Sequence, residues 1–156
     1  MRAVAGKVVL GLVLSLAGLA SETTPDLKAR ADAAHGGERA VLSMEYAHRQ
    51  LEEANNFYNQ GDVEKAEAAV QEVLTYAQQA ATAAATSGKR LKQTEIDLRK
   101  LEHRLHDIGQ SLNIDDRPPV EKTVQQLEEL RAHLLARMFG EKAEPGQKTE
   151  PKDKSQ

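Results

Sequence analysis

The stretch VEKAEAAVQEVLTYAQQAATAAATSGKRLKQTEIDLRKLEHRLHDIGQSL, Val63 to Leu112, decides the fold. Small and apolar residues recur along it at alternating steps of three and four: Val63, Ala66, Val70, Val73, Ala77, Ala80, Ala84, Ser87, Leu91, Thr94, Leu98, Leu101, Leu105, Ile108 and Leu112. Only Ser87 and Thr94 in that ladder are polar. A seven-residue repeat holds one stripe on one side of an α-helix, and a repeat this long predicts a stripe facing a neighbouring helix, as in coiled coils. The phase is unchanged across Ser87-Gly88, which predicts one continuous helix of about 75 Å, at most kinked at Gly88.

The flanks of the ladder change along its length. In the first half they include Ala69, Leu74, Tyr76, Ala81 and Ala83, so the apolar face is wide enough to meet more than one helix. In the second half they include Arg90, Glu95, Asp97, Glu102 and Arg104, the charged borders of a narrow seam. Leu74, Tyr76, Ala81 and Ala83 form the candidate interaction face, for a protein partner or for a second copy in a homodimer. The alanines at Ala77, Ala80 and Ala84 would allow close approach there.

Working outward, Thr24 followed by Pro25 and Asp26 signals a helix start: a capping hydroxyl, a proline in the first turn and an acid at the positive end of the dipole. The helix it opens is expected over about 25–58, with its own ladder of Ala40, Met44, Ala47, Leu51, Ala54 and Tyr58. Gly36-Gly37 is its weak point, costing about 2 kcal/mol of helix propensity against alanine. Gly61 stops this helix and Asp62 caps the next, and so tight a turn makes the two antiparallel neighbours. After a polar loop from Asn113 to Arg117, Pro118-Pro119 opens a third helix over about 118–139. One face of it carries Val120, Val124, Leu127, Leu130, Leu134 and Met138. The expected fold is all-α, an antiparallel helical hairpin or coiled-coil bundle of three helices at about 25–58, 63–112 and 118–139. Leu98, Leu101 and Leu105 should face Leu127, Leu130 and Leu134.

The turn between the first two helices, with Ala54, Phe57, Gly61-Asp62-Val63-Glu64-Lys65-Ala66 and Val70, resembles the helical hairpin of a tetratricopeptide repeat over about residues 54–74. The resemblance covers one unit, where stacked arrays of that family need about three. It implies a helical hairpin with a peptide-holding groove.

Residues 1–20 read as a secretory signal: Arg2 and Lys7 precede an apolar run from Val8 to Leu19, and small residues lead to cleavage between Ala20 and Ser21. The run is short of the ~20 residues a membrane span requires, so no stable span is expected after cleavage, an uncleaved anchor being the alternative. Residues 21–140 form the helical coiled-coil domain. Residues 141–156 are a charged tail, expected to be disordered, with Lys142-Ala143-Glu144-Pro145 echoed by Lys148-Thr149-Glu150-Pro151. Losing Arg2 and Lys7 takes the formal charge from -3 to -5. With that acidic balance, no tryptophan and few aromatics, nucleic acid is a poor partner. The absence of cysteine excludes disulfides and a lipoprotein anchor.

No catalytic set emerges. The chain lacks cysteine, a Gly-x-Ser-x-Gly elbow and a glycine-rich phosphate loop ending in lysine and a hydroxyl. Glu45 and His48 have the Glu-x-x-His spacing of di-metal bundles, but the motif occurs once where such sites need it twice. His103 and His106 lie three apart, and His106 is expected to pair with Glu102. Lys89, Arg90, Lys92, Arg99, Lys100 and Arg104 alternate with Glu95, Asp97 and Glu102, the pattern of a solvated face. No enzyme activity and no cofactor are expected. The sequence points to an exported, periplasmic or secreted, non-catalytic interaction or scaffold protein of a bacterial cell envelope. The alternative is a bundle that binds a small ligand or metal in its alanine-rich half, in a cavity lined by Tyr46, Tyr58 and Tyr76.

Overall fold

The computed structural model describes residues 23–140, and every element in that range is helical. The order is α1 (Thr24–Ala33), α2 (Gly36–Gln60), α3 (Val63–Ser87), α4 (Leu91–Ser111), a single 3-10 turn (Ile114–Asp116) and α5 (Arg117–Gly140). The all-α expectation holds, but two of the three expected helices are each divided in two. The expected signal cleavage at Ala20 and Ser21 and the tail 141–156 lie outside the described residues.

The first division falls just before the glycine pair. Thr23, one residue earlier than expected, caps α1: its hydroxyl accepts from the Asp26 amide at 3.3 Å. The helix stops at Ala33 because Ala34 and His35 are extended and Gly36 takes φ +56°, a left-handed conformation that glycine reaches without penalty. The chain then reverses, so that Thr24 reaches Glu53 on α2, their side-chain oxygens 3.4 Å apart. Position 37 packs tightly as well, since a Cβ there would lie 3.2 Å from the Lys89 Cβ and that side chain would have to give by a few tenths of an ångström.

The turn between α2 and α3 matches expectation. Gly61 sits at φ +76°, its amide donates to Tyr58 O and that of Asp62 to Phe57 O, the paired closure of a Schellman motif. Asp62 then caps α3 by accepting from the Lys65 amide at 3.4 Å.

The continuous helix through Ser87-Gly88 is the expectation that fails. Gly88 at φ +66° and Arg90 at φ +65° turn the chain back within three residues. From there α4 runs beside α2 in the same direction: Arg90 and Gln93 lie by Val41, and Arg104 pairs with Glu52 at 3.0 Å. Helices of about 37 Å and 31 Å replace the single rod of about 75 Å. The unbroken phase misleads because both halves bury their stripe in one core, and a three-residue reversal is close to one helical turn. The step from Ser87 to Leu91 is therefore four residues whether the chain continues or doubles back.

The expected loop at 113–117 shortens to the 3-10 turn, and Arg117 already belongs to α5. Pro118 and Pro119 occupy the first turn of α5, where a missing amide costs no intrahelical bond. α5 returns antiparallel to α4, locked where Arg131 reaches Glu95 at 3.1 Å and Glu102 at 2.7 Å. Gly109 lets the pair close up, since a Cβ there would meet Val120 Cγ1 at 3.3 Å. Around the bundle the order is α2, α3, α5, α4; the direction alternates along the chain, so α2 and α4 are parallel neighbours, as are α3 and α5, and α1 lies on the outside of the α2–α3 pair. Leu51, Val70, Val73, Leu98, Leu101, Leu105, Val120, Leu127 and Leu134 are buried at the centre. Leu98, Leu101 and Leu105 do share a core with Leu127 and Leu134, while Leu130 is partly exposed at its edge.

Candidate functional site

Between Glu72 and Lys89 the chain carries no charged residue, although 29% of all its residues are charged. That run is most of α3. Its inward side is the alanine ladder; its outward side presents Thr75, Gln78, Thr82 and Thr86, all exposed. α1 covers this outer side as far as Gln79, whose amide donates to Ala31 O at 3.2 Å and to Ser43 Oγ at 3.0 Å. Beyond α1 the surface opens into a groove of about 560 Å³. His35, Gly36 and Arg39 form one wall, and Thr75, Gln78, Thr82, Ala83 and Thr86 the other. The Arg39 Nε is buried and has no hydrogen-bond partner. A second groove, about 590 Å³, continues from His35 and Gly36 past Lys89 and Arg90. The two offer amide, hydroxyl and guanidinium groups, which can hold carbonyls, carboxylates or an uncharged polar chain. Sequence reasoning passed over Arg39 and His35; the gap in charge from Val73 to Gly88 was the available signal.

The expected interaction face is arranged differently. Leu74, Tyr76 and Ala81 are 8%, 4% and 5% exposed, so they are buried within a single chain. Only Ala83, half-buried on the groove wall, belongs to an accessible surface. Leu74 is therefore not part of a bare apolar face. α1 and the folding back of α4 and α5 supply cover that a three-helix rod lacks.

The three tyrosines do not line one cavity. Tyr46 and Tyr76 stack on each other with centroids 4.3 Å apart and planes tilted by 57°. The Tyr46 hydroxyl donates to Glu72 at 3.1 Å and the Tyr76 hydroxyl to Asp32 at 2.9 Å. Burial, followed by the neighbouring carboxylates, raises the pKa of both phenols, so they stay neutral donors. Tyr58 is about 18 Å further along α2, its hydroxyl buried without a partner and its pKa pushed up to about 12 by burial.

The histidine readings also change. Glu45 pairs with Arg49 at 3.3 Å. His48 is half-buried against α4, where burial lowers its pKa, Asp97 and Glu52 oppose that shift and Lys100 reinforces it. His106 lies 2.8 Å from Gln110 Nε2 and not against Glu102, which Arg131 takes from α5. Among the described residues no group of three or more His, Cys, Asp or Glu side chains is placed to hold a metal ion. No described helix is long and apolar enough to cross a membrane. No family model, curated protein or solved structure matches the chain.

Proposed function

We propose that the chain is an exported, non-catalytic helical interaction protein of a bacterial cell envelope, and that its contact face is the uncharged outer side of α3 with the Arg39 wall. The observation that carries the reading is the exposed row Thr75, Gln78, Thr82 and Thr86 in a stretch without charge. A solvated helix face ordinarily holds lysine and glutamate, whose removal from water is costly. A face of small hydroxyls and amides loses its water cheaply, and protein interfaces are depleted of the same charged residues at their centres. Export rests on the first twenty residues.

A second reading is favoured by Arg39, whose guanidinium side chain is on the wall of a groove of about 560 Å³ and whose buried Nε has no hydrogen-bond partner. That volume falls in the range of small-molecule sites, roughly 300–1,000 Å³, so a carboxylate-bearing ligand is the competing occupant. A photo-crosslinking residue placed at Thr82, with a control at Glu128 on α5, separates these in the source cell. A protein adduct at Thr82 alone supports the interaction face. Equal labelling at both positions, or none, rejects it.

A further inference from the structure

α1 contributes less to the core than any other helix. It has ten residues, of which only Leu27 and Ala31 are buried. A helix that short does not persist alone in water, so it is helical because of its seat. The rest of its attachment is polar. Lys28 Nζ lies 2.8 Å from Glu72 and above the rings of Tyr46 and Tyr76, 5.7 and 5.6 Å from their centroids. Tyr76 donates to Asp32, and Gln79 donates to Ala31 O.

The seat does not depend on α1 for its own integrity. Without α1, Glu72 keeps the Tyr46 hydroxyl, Gln79 keeps Ser43 Oγ, and the two tyrosine rings still rest on each other. No contact within the α2–α3 pair has to break for α1 to leave. Its connection to α2 is two extended residues, Ala34 and His35, leading to a helix start at Gly36 with no side-chain cap.

We propose that α1 is a displaceable occupant of a helix-binding seat on the α2–α3 pair, and that the seat accepts α1 from a second copy of the chain. The seat recognises a leucine and an alanine four apart, a cation directly after the leucine and a carboxylate directly after the alanine. Leu27-Lys28 and Ala31-Asp32 meet that pattern, and a second copy carries them identically. Reciprocal exchange closes a two-fold dimer, and a connection as short as Ala34-His35 favours exchange over a slack loop. The inference deepens the interaction reading by naming a partner. The seat adjoins the Thr82 groove at Gln79 and His35, but peptide binding reads the seat and crosslinking at Thr82 reads the groove, so the two fail distinguishably.

The test uses the full mature chain. In hydrogen exchange, α1 amides should exchange at least about 100-fold faster than those of α3 between Val70 and Ala80, reporting opening below the global unfolding free energy. A synthetic peptide of residues 22–34 should bind a Leu27→Glu chain at least about tenfold tighter than the unmodified chain, where the tethered α1 competes at high effective concentration. Lys28→Glu, which sets a like charge against Glu72 and leaves the apolar contacts in place, is the second variant should Leu27→Glu lose its helical circular dichroism. Donor- and acceptor-labelled copies mixed at about 100 µM should develop energy transfer that excess peptide reverses. Equal exchange rates in α1 and α3, or no peptide binding to folded variants, overturns the displaceable seat. Peptide binding by a chain that stays monomeric at that concentration rejects the second copy as occupant.

Discussion

Replacing Gly88 with alanine distinguishes a reversing chain from a continuous helix by the sign of its effect. Gly88 lies at φ +66°, and a Cβ added there would meet nothing within 4 Å, so the consequence is confined to the backbone. An L-residue held left-handed costs roughly 1–2 kcal/mol. Alanine also lowers the entropy of the unfolded chain by an amount worth about 0.4–1 kcal/mol, leaving a net loss of about 1 kcal/mol. In a continuous helix the same substitution would stabilise by about 1 kcal/mol. With a urea m-value of about 1.5 kcal/mol/M, the expected fall in midpoint is about 0.7 M, followed by circular dichroism. Arg90, left-handed at φ +65°, provides the opposite test, since Arg90→Gly relieves the strain of its side chain and should raise the midpoint. A Gly88→Ala chain with a higher midpoint and unchanged m-value would refute the reversal.

Leu101 is fully buried between α4 and α5, and Leu101→Ala should cost about 2–4 kcal/mol, lowering the melting temperature by roughly 10 °C; an unchanged melting temperature would show that the α4–α5 seam contributes no core. His48 should make stability fall below neutral pH. Its pKa is lower in the folded chain than the ordinary 6.5, so the unfolded chain binds the proton more readily, and stability present above about pH 6.5 is lost as pH falls through the interval down to the folded pKa. His48→Gln should flatten the dependence of the melting temperature on pH between about 5 and 7.5, and an identical slope would place that dependence elsewhere.

Helical class and inward faces were legible because they depend on local spacing. Every ladder position from Ala66 to Ala84 and from Thr94 to Ile108 is buried. Chain direction was not legible at Gly88, because spacing records which side of a helix is dry and is silent about which way the helix runs. The Gly36-Gly37 pair carried part of the missing information. Its propensity cost marked a weak point, and its second role, close packing against the Lys89 and Arg90 side chains, depends on a segment about fifty residues away.

The groove was illegible for a related reason. Reading apolar excess as a partner site places the contact at Leu74 and Tyr76, but in a bundle the widest apolar face is the one most completely covered, and both are buried. The exposed side of the same helix stands out by what it lacks. Glu72 lies under α1, paired with Lys28, and Lys89 is the first charge after the reversal begins, so the uncharged run takes in the end of α1's cover at Gln79 and all of α3 that α1 leaves bare beyond it. A length of α3 that needed only solubility would gain from lysine or glutamate at Gln78, Thr82 and Thr86, whose side chains project into the groove or its rim. Thr82→Lys is therefore expected to leave the melting temperature unchanged within about 1 °C, because the position is exposed and outside the core. The same substitution should abolish the Thr82-directed partner contact, since a buried lysine without a counter-charge costs several kcal/mol at an interface. A large loss of stability instead would mean that the uncharged face serves the fold of the monomer and not a partner.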